Sequence, residues 1–315
     1  MPKTLLLIAL LGFGLDESSA RAVLWRDPGA IAAKNLYWGP GSPESAPRAP
    51  FTFVSEDTGG TKPKIEVTDA DGVLWNVKFA GTSKGSNEVH SEIAATRLAW
   101  ALGYFVEDLY FVRGGTIENV PALERAARAV APDGTFGLAR FERRHADIER
   151  TGRGWSIHNN PFKGTKELSG LHILIALLNN WDVRSANTNV LRTRGPDGQL
   201  EDRFVVSDFG ATFGRMGRPA VFSSWNRWSL EDYQRESFIT KVDDEHVFLH
   251  YEGFHPIERV PLEHARWFSD LASALTHEQI EQAFEAAGAS AQEVSGFSAR
   301  LQEKLAELRE AVAAR

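Results

Sequence analysis

Short apolar runs separated by turn residues open the first half of the chain. Residues 51–54, 64–68 and 73–79 are rich in aromatic and β-branched side chains, which favour strands. An Asp-Gly step at Asp71 and Gly72, between the second and third runs, is a strong hairpin signal. The pattern predicts a three-stranded antiparallel meander.

A helical pattern follows the meander. Its apolar residues recur at helical spacing up to Leu102, and Gly103 is placed to end it. Further on, residues 108–112 and 135–141 predict a fourth and a fifth strand, and residues 120–130 predict a short, charged helical insertion. The expected order is therefore β-β-β-α-β-β.

The second half of the chain is predicted to be mostly helical. Residues 166–180 are apolar almost all round, which indicates a buried helix. A polar loop over 181–189 follows, and an Asp-Gly turn at Asp197 joins two short apolar runs. Two capping boxes predict the starts of the last helices: Thr276 with Gln279, and Ser290 with Glu293.

The distribution of these elements predicts an α+β protein with two unequal parts. A small antiparallel-sheet part spans 51–143, and a mainly helical part spans 144–315. A Gly- and Pro-rich stretch over 23–50 is expected to form an irregular arm in front of them.

The N-terminus has the features of a secretory signal peptide over residues 1–22. An apolar stretch over 5–15 follows Lys3, and Ala20 and Ala22 provide small-residue cleavage chemistry. The stretch is shorter than the ~20 residues a membrane-spanning helix needs, so we expect no integral span. We predict a periplasmic or secreted protein. The alternative is a buried N-terminal helix in a cytoplasmic protein.

Composition narrows the possible functions. The chain has 43% hydrophobic residues, enough for a large core, and no cysteine, which excludes disulfides, thiolate metal sites and cysteine nucleophiles. Lys and Arg number 35 against 42 Asp and Glu, which gives a net charge of -7. A chain with this negative net charge is not expected to have a generally basic surface, so we expect no nucleic-acid partner.

Two charged residues in the first half stand where charge is unusual. Lys78 lies in an apolar strand between Val77 and Phe79, and Glu92 lies in the following helix. In phosphoryl-transfer enzymes a strand Lys holds nucleotide phosphates and a helix Glu orients it. Glu88 is a poorer alternative to Glu92, because it is nearer the helix start.

The polar loop of the second half adds a matching set. Asp182 and Asn187 are five positions apart, the spacing of the kinase catalytic loop, and Asp208-Phe209-Gly210 follows the next strand. A single Asp-Phe-Gly tripeptide is weak evidence. A strand Lys, a helix Glu, this loop and then Asp-Phe-Gly, in that order, are strong evidence.

With these motifs the chain resembles the protein-kinase-like superfamily, and most of all its atypical bacterial, HipA-like branch. The loop over 59–64 is similar to the HipA-type glycine loop. The sequences at 179–182 and 207–214 also resemble an exported, uncharacterised bacterial family. The resemblance implies a bilobal protein-kinase-like fold, with a small antiparallel-sheet N-lobe and a mainly helical C-lobe.

The resemblance assigns roles to residues on both sides of the cleft. Asp182 would be the catalytic aspartate, and Arg184 would neutralise the transferring phosphate. Lys78, paired with Glu92, would contact the α- and β-phosphates of ATP. Asn187 and Asp208 would hold Mg²⁺, and Asn189 is an alternative to Asn187. The glycine loop would approach the phosphates through Gly59, Gly60, Lys62 and Lys64.

The chain also departs from the kinase pattern. Asn180 and Trp181 replace the His-Arg that precedes the catalytic aspartate, and no Ala-Pro-Glu motif follows Asp208. The acceptor therefore cannot be read by analogy. We predict an ATP- and Mg²⁺-dependent phosphotransferase that acts on an unknown acceptor, a protein or a small molecule. The alternatives are transfer of AMP or another group, and an inactive envelope binding module.

Three other patterns carry weaker hypotheses. Gly-x-Ser-x-Gly around Ser83 is typical of hydrolases, although the meander before it is the wrong kind of sheet. A histidine group could bind metal but lacks the metalloprotease spacing. An aromatic group could form a binding face, although core packing is the simpler interpretation. The two groups are His246, His250 and His255, and Trp225, Trp228 and Tyr233.

Overall fold

The computed structural model describes residues 20–59, 62–81, 87–217, 225–254, 256–257 and 259–314. After a short first strand, β1 (Arg21–Val23), the first half carries seven strands. They are β2 (Phe51–Asp57), β3 (Lys64–Thr68), β4 (Leu74–Phe79), β5 (Leu109–Val112), β6 (Gly115–Glu118), β7 (Thr135–Phe136) and β8 (Ala139–Arg143).

These seven strands form one sheet in the order β5-β8-β4-β3-β2-β6-β7. The meander β2-β3-β4 is antiparallel, as predicted. Trp75 and Val77 of β4 are fully buried on one face of the sheet, in a core that includes Phe141. The alternate residues of β4 point to the other face, since side chains alternate along a strand. Lys78 is thereby placed on the face opposite that core, directly across from Arg140 of β8.

The structure corrects two details of the predicted first half. Residues 120–130 form only a single helical turn, Ala126–Arg128. Pro121 and the shortness of the segment disfavour a helix, and Glu56 instead accepts the amides of residues 124–126. The expected fifth strand is two strands, β7 and β8, and β6 pairs with β2 in parallel, so the sheet is not wholly antiparallel.

Helix α1 (Glu88–Ala101) connects β4 to β5 and is buried along nearly its whole length. The predicted stop is confirmed, because Gly103 follows the helix with a φ of 89°. Residues that carry a side chain rarely adopt a positive φ of this size. In addition, a Cβ at Gly103 would lie 2.3 Å from the backbone oxygen of Arg26. Gly103 therefore lets the arm approach the end of α1.

The rest of the chain is mainly helical. Its helices are α2 (Lys166–Leu177), α3 (Leu230–Arg235), α4 (Leu262–Ala272), α5 (His277–Ala286) and α6 (Ala291–Ala313). Its strands are β9 (Glu149–Arg150), β10 (Thr188–Arg194), β11 (Leu200–Val206), β12 (Ile239–Val242), β13 (His246–Leu249) and β14 (Arg259–Pro261). The two predicted capping boxes are present at the starts of α5 and α6.

Helix α2 is buried in the main core, as its apolar sequence predicted. The antiparallel hairpin β10-β11 extends from the loop that follows α2. Strand β1 adds to the edge of this hairpin in parallel with β11, so the predicted signal boundary at Ala22 falls inside a strand. Over the described residues, no helix combines the length and the apolar character needed to cross a membrane.

Candidate functional site

Lys78 is the centre of a buried cluster of carboxylates. Its ammonium lies 3.0 Å from Glu92 and 3.5 Å from Asp208, and it also contacts Glu88. Burial lowers the pKa of Lys78, but the negative charges of Asp208, Glu92 and Glu88 outweigh burial and raise it. Lys78 is therefore a permanent cation at the junction of the two parts of the molecule.

Both candidate helix glutamates reach Lys78. Glu92 is one turn further along α1 than Glu88, and residues four apart share a helix face. Glu88 also lies 3.3 Å from the ammonium of Lys62. Lys78 and Lys62 overcome the effect of burial and lower the pKa of Glu88 to about 2. Glu88 is thus part of the site, where the sequence suggested only an alternative to Glu92.

Sequence reasoning missed Arg140. Its guanidinium lies 2.8 Å from Glu92 and 2.9 Å from Glu142, and it is almost completely buried. It fixes the side of Glu92 that faces away from Lys78. The sequence did contain a signal for Arg140, because it is a charged residue between the apolar Ala139 and Phe141. Lys78 stands out in its strand for the same reason. The strand register that places Arg140 beside Lys78 could not be read from the sequence.

The catalytic-loop residues lie between α2 and β10. Arg184 donates to both carboxylate oxygens of Asp182, one of them at 2.9 Å. This pairing, with a contribution from Asp208, raises the pKa of Arg184. Asp182 and Arg184 are therefore held together as an ion pair.

Asn187 connects Asp182 to Asp208. Its side-chain amide donates to the backbone oxygen of Asp182 at 2.6 Å. Its own backbone oxygen accepts the amides of Ser207 and Asp208 at 3.0 and 3.2 Å. The donor half of the Asn187 side chain is thus engaged within the loop, which leaves its oxygen as the half suited to a cation.

Asn189 is held differently. It lies in β10, and its amide donates to the hydroxyl of Ser207 at 2.9 Å. Among the described hydrogen bonds, its side chain makes none to the backbone of Asp182, whereas the side chain of Asn187 does. The geometry therefore favours Asn187 over Asn189 as the partner of Asp208.

The start of the catalytic loop is fixed by Asn179, which has a φ of 53°. Its side-chain amide donates to Gly214 O at 3.0 Å, and its side-chain oxygen accepts from the ammonium of Lys304 at 2.8 Å. Gly214 belongs to the segment that follows Asp208. A single side chain thus ties the catalytic loop, the Asp-Phe-Gly segment and helix α6 together.

The glycine loop joins β2 to β3. Gly59 donates its amide to Asp57 at 2.8 Å, and its carbonyl accepts from Arg125. Gly60 lies outside the described residues. Lys64 is the cross-strand neighbour of Lys78, and Lys62 reaches the cluster through Glu88. Lys62 and Lys64 therefore lie near the cluster.

Oxygen donors suited to a divalent cation converge here. Carboxylate oxygens of Glu88, Glu92 and Asp208 lie within 4.8 Å of one another. Carboxylate and amide oxygens are the donors that Mg²⁺ prefers, and Asn187, whose backbone oxygen accepts the amide of Asp208, carries an amide oxygen. The ammonium of Lys78 stands beside the three carboxylates as a cationic group suited to phosphate oxygens.

Two residues of the weaker hypotheses lie outside the described part of the chain, and two histidines lie beside carboxylates. The first two are Ser83 and His255. His246 faces Asp243 and Glu245, each at 3.8 Å, and His250 lies 3.1 Å from Glu236.

The aromatic group divides in two. Trp228 and Tyr233 are buried in the main core, which confirms the packing interpretation for these two. Trp225 packs against Trp181, the residue before Asp182, with ring centroids 5.3 Å apart. Only Trp225 is therefore near the site.

Comparisons with known proteins give a fold and no family. No protein-family model matches the chain, and no curated protein matches it. Among solved structures it is similar to the Helicobacter pylori proinflammatory kinase CtkA, with a TM-score of 0.51 and 15% identity. That match covers 85% of this chain and 97% of the other.

Two further kinase structures match less closely. The Golgi casein kinase has a TM-score of 0.42 and 13% identity, over 92% of this chain and 78% of its own. The Rio2 kinase of Chaetomium thermophilum, solved as an ADP/Mg²⁺-phosphoaspartate complex, has a TM-score of 0.32 and 12% identity, over 81% and 72%.

The similarity to CtkA establishes the class of fold. The chain has the bilobal, α+β protein-kinase-like fold that the motifs predicted, with the sheet of β2 to β8 as its small lobe. At 15% identity the similarity concerns the fold alone.

Proposed function

We propose that this protein is a kinase-like phosphotransferase that uses ATP and Mg²⁺. The observation that carries the proposal is the convergence of Lys78, Asp208 and the Asp182 loop in a kinase-like fold. These elements are far apart in the sequence, yet Lys78 lies 3.5 Å from Asp208, and Asn187 of the Asp182 loop accepts the backbone amide of Asp208. On its motifs, we place the chain nearest the HipA-like branch.

ATP would supply the phosphoryl group, and Mg²⁺ the positive charge that offsets its oxygens. Lys78 holds the α- and β-phosphates, with Glu88 and Glu92 fixing its position. Asn187 and Asp208 hold the metal through oxygen atoms. These roles are positioning and charge neutralisation, which is most of what phosphoryl transfer needs from a protein.

The remaining residues act on the acceptor side. Asp182 orients the acceptor group and takes its proton, and Arg184 neutralises charge on the group being transferred. Arg184 is half exposed, so its side chain has room to turn from Asp182 towards a phosphate. The acceptor is a protein or a small molecule.

Transfer of label from γ-labelled ATP tests the proposal. We expect incorporation into the protein or an added acceptor, and a loss of about 100-fold or more in Asp182→Asn and Asp208→Asn. Asp270→Asn, which changes an exposed aspartate of α4, is the matched control. Incorporation that is equal in all three variants would show that the site is elsewhere.

The same assay separates the alternatives. Label that transfers from the α-phosphate, and not from the γ-phosphate, would indicate AMP transfer. An inactive binding module predicts no Mg²⁺-dependent thermal shift with ATP, whereas a nucleotide-binding enzyme is stabilised by its ligand.

We also propose that the protein is exported, on the strength of its N-terminal sequence. Cleavage after Ala22 would remove Arg21, which lies 2.7 Å from the buried carboxylate of Glu201. Glu201 would keep Arg26 at 2.7 Å and Arg203 at 3.2 Å. The carboxylate of Glu201 would therefore still be paired after cleavage. N-terminal sequencing of the protein from its native host would show whether it occurs.

A further inference from the structure

A cavity of about 700 Å³ lies apart from the cluster around Lys78 and Asp182. Its walls come from the arm, the turn after α1, the segment that follows β8, and single residues of β3, β4, β10 and β11. They contain four acidic residues as well as cations: Asp27, Glu66, Glu107 and Asp108. Six of its lining residues carry the argument: Arg26, Lys34, Trp100, Phe105, Arg143 and Arg150. The volume is typical of small-molecule sites, which span about 300–1,000 Å³.

Two cations of this cavity lack a carboxylate partner among the described residues. The ammonium of Lys34 donates to Trp100 O at 3.2 Å and lies 4.2 Å from the centre of the Trp100 ring. Arg143 donates to Ser45 O at 3.4 Å. Carbonyl oxygens and a ring face satisfy donors without cancelling the charge, so both residues leave positive charge in the wall.

The other arginines of the cavity are paired with carboxylates, which sets Lys34 and Arg143 apart from them. Arg26 and Arg203 both pair with the single buried carboxylate of Glu201. Arg150 lies 2.9 Å from Glu107 and also contacts Glu142, which Arg144 contacts as well. Burial and the nearby charge of Glu142 raise the pKa of Glu107 to about 8, so at neutral pH this wall carries little negative charge from it.

Aromatic rings complete the walls. Phe105 has the guanidinium groups of Arg26 and Arg203 at 5.2 and 4.9 Å from its ring centre. Trp100 lies beside the Lys34 ammonium. A ring beside the unpaired Lys34 ammonium, and a ring beside two arginines that share one carboxylate, suit a ligand that is flat and apolar at one end and anionic at the other.

We propose that this cavity is a second binding site, which takes a small organic anion with a flat apolar body. It lies outside the nucleotide site, since neither Lys78 nor Asp208 lines it. The proposed anion site therefore does not depend on whether the protein transfers phosphate.

Naphthalene sulfonate and its neutral analogue, naphthalene sulfonamide, are suitable probes because they share a ring system and differ in charge. In calorimetric titrations of the full chain we expect the sulfonate to bind at least about tenfold more tightly than the sulfonamide. Lys34→Gln and Arg143→Gln, made separately, should each weaken sulfonate binding by about tenfold.

Two controls locate the probe. Arg128→Gln removes an exposed cation of the small lobe and should leave sulfonate binding unchanged. Lys78→Met, a change in the nucleotide site, should also leave it unchanged, whether or not the protein proves to transfer phosphate. Equal binding of the two probes, or wild-type sulfonate binding in both cavity variants, would overturn the proposal. Competition of the sulfonate with ADP and Mg²⁺ would overturn it too, because the probe would then lie in the nucleotide cleft.

Discussion

At the scale of single residues, the charge balance around Lys78 decides what the site can hold. Three carboxylates surround one ammonium, and a second cation, Arg140, holds Glu92 from the other side. A buried ion pair contributes little net stability, but the removal of one partner is costly because the other is left unpaired. Residues of the cluster should therefore differ sharply in their effects on folding.

Glu92→Gln and Glu88→Gln form a matched pair of substitutions. Lys78 and Lys62 lower the pKa of Glu88 to about 2, so the folded state strongly favours its charged form, and Glu88→Gln should lower the free energy of unfolding by about 3 kcal/mol. Burial raises the pKa of Glu92 despite the charges of Arg140 and Lys78, so we expect Glu92→Gln to cause less than about half that loss. Urea unfolding measures both, with Glu118→Gln on the exposed side of β6 as the control. Equal losses in the two variants would contradict the proposed division of roles.

Asn187 and Asn189 form a second matched pair. If Asn187 holds the metal, Asn187→Ala should weaken ADP binding by about tenfold or more in the presence of Mg²⁺ and change it little in its absence. Among the described contacts, the Asn189 side chain makes one hydrogen bond, to Ser207, so we expect Asn189→Ala to change ADP binding by less than about threefold. Calorimetry with and without Mg²⁺ measures both. A larger Mg²⁺-dependent loss in Asn189→Ala would reverse the assignment.

Most residues of the candidate site could be proposed from the sequence, but the contacts between them could not. Lys78 is visible as a charge inside an apolar strand, and Asp208 as the first residue of an Asp-Phe-Gly motif that follows a strand. The role of Arg140 depends on the register of β4 against β8, which residues far apart in the sequence determine. The second cavity depends on the same kind of long-range packing.

At the scale of elements, prediction succeeded where the sequence itself fixes the backbone. The meander, the stop at Gly103 and the buried helix α2 follow from turn chemistry and apolar periodicity. The prediction of a helix over 120–130 was wrong because tertiary contacts satisfy the backbone amides of this segment. Glu56 accepts hydrogen bonds from amides that would otherwise donate within a helix. The parallel pairing of β6 with β2 also has no local signal.

The cap of α6 can be tested as an element. Ser290 accepts the amide of Glu293 and donates its hydroxyl to the Glu293 carboxylate, so it closes the start of the helix. Ser290→Ala should lower the free energy of unfolding by about 1 kcal/mol. Ser295→Ala, an exposed change further along the same helix, should cost nothing, because Ala has the higher helix propensity. Urea midpoints compare the two, and an equal cost would show that the cap does not contribute.

At the scale of the whole molecule, burial of charge matters more than the net charge of -7. Glu201 is fully buried with three arginines around it, and Lys304 is fully buried on α6. The lysine differs from the glutamate because it has no counter-ion in contact among the described residues. Its ammonium donates to Asn179 and Leu177 oxygens and lies 4.2 Å from the centre of the Tyr233 ring.

Lys304 should therefore make folding stability depend on pH. Burial, with a contribution from Arg300, lowers the pKa of Lys304 to about 7 against the opposing charges of Glu236 and Glu307. An unfolded lysine titrates near pH 10.4, so above about pH 7 the unfolded state binds more protons than the folded state. Stability contributed by this group must then rise with pH, by about 2 kcal/mol between pH 7 and pH 9. Below about pH 7 both states hold the proton, and the cost of the buried charge is complete.

Lys304→Met isolates this effect because it removes the titrating group and keeps a side chain of similar length. We expect the free energy of unfolding of the wild type, measured relative to the Met variant, to increase by about 2 kcal/mol from pH 7 to pH 9. Lys241→Met replaces an exposed lysine of β12 and should give a curve parallel to the wild type. Parallel curves for the wild type and Lys304→Met would mean that the lysine is charged in the folded protein throughout this range. Because Lys304 contacts Asn179, the same titration also changes the charge that faces the start of the catalytic loop.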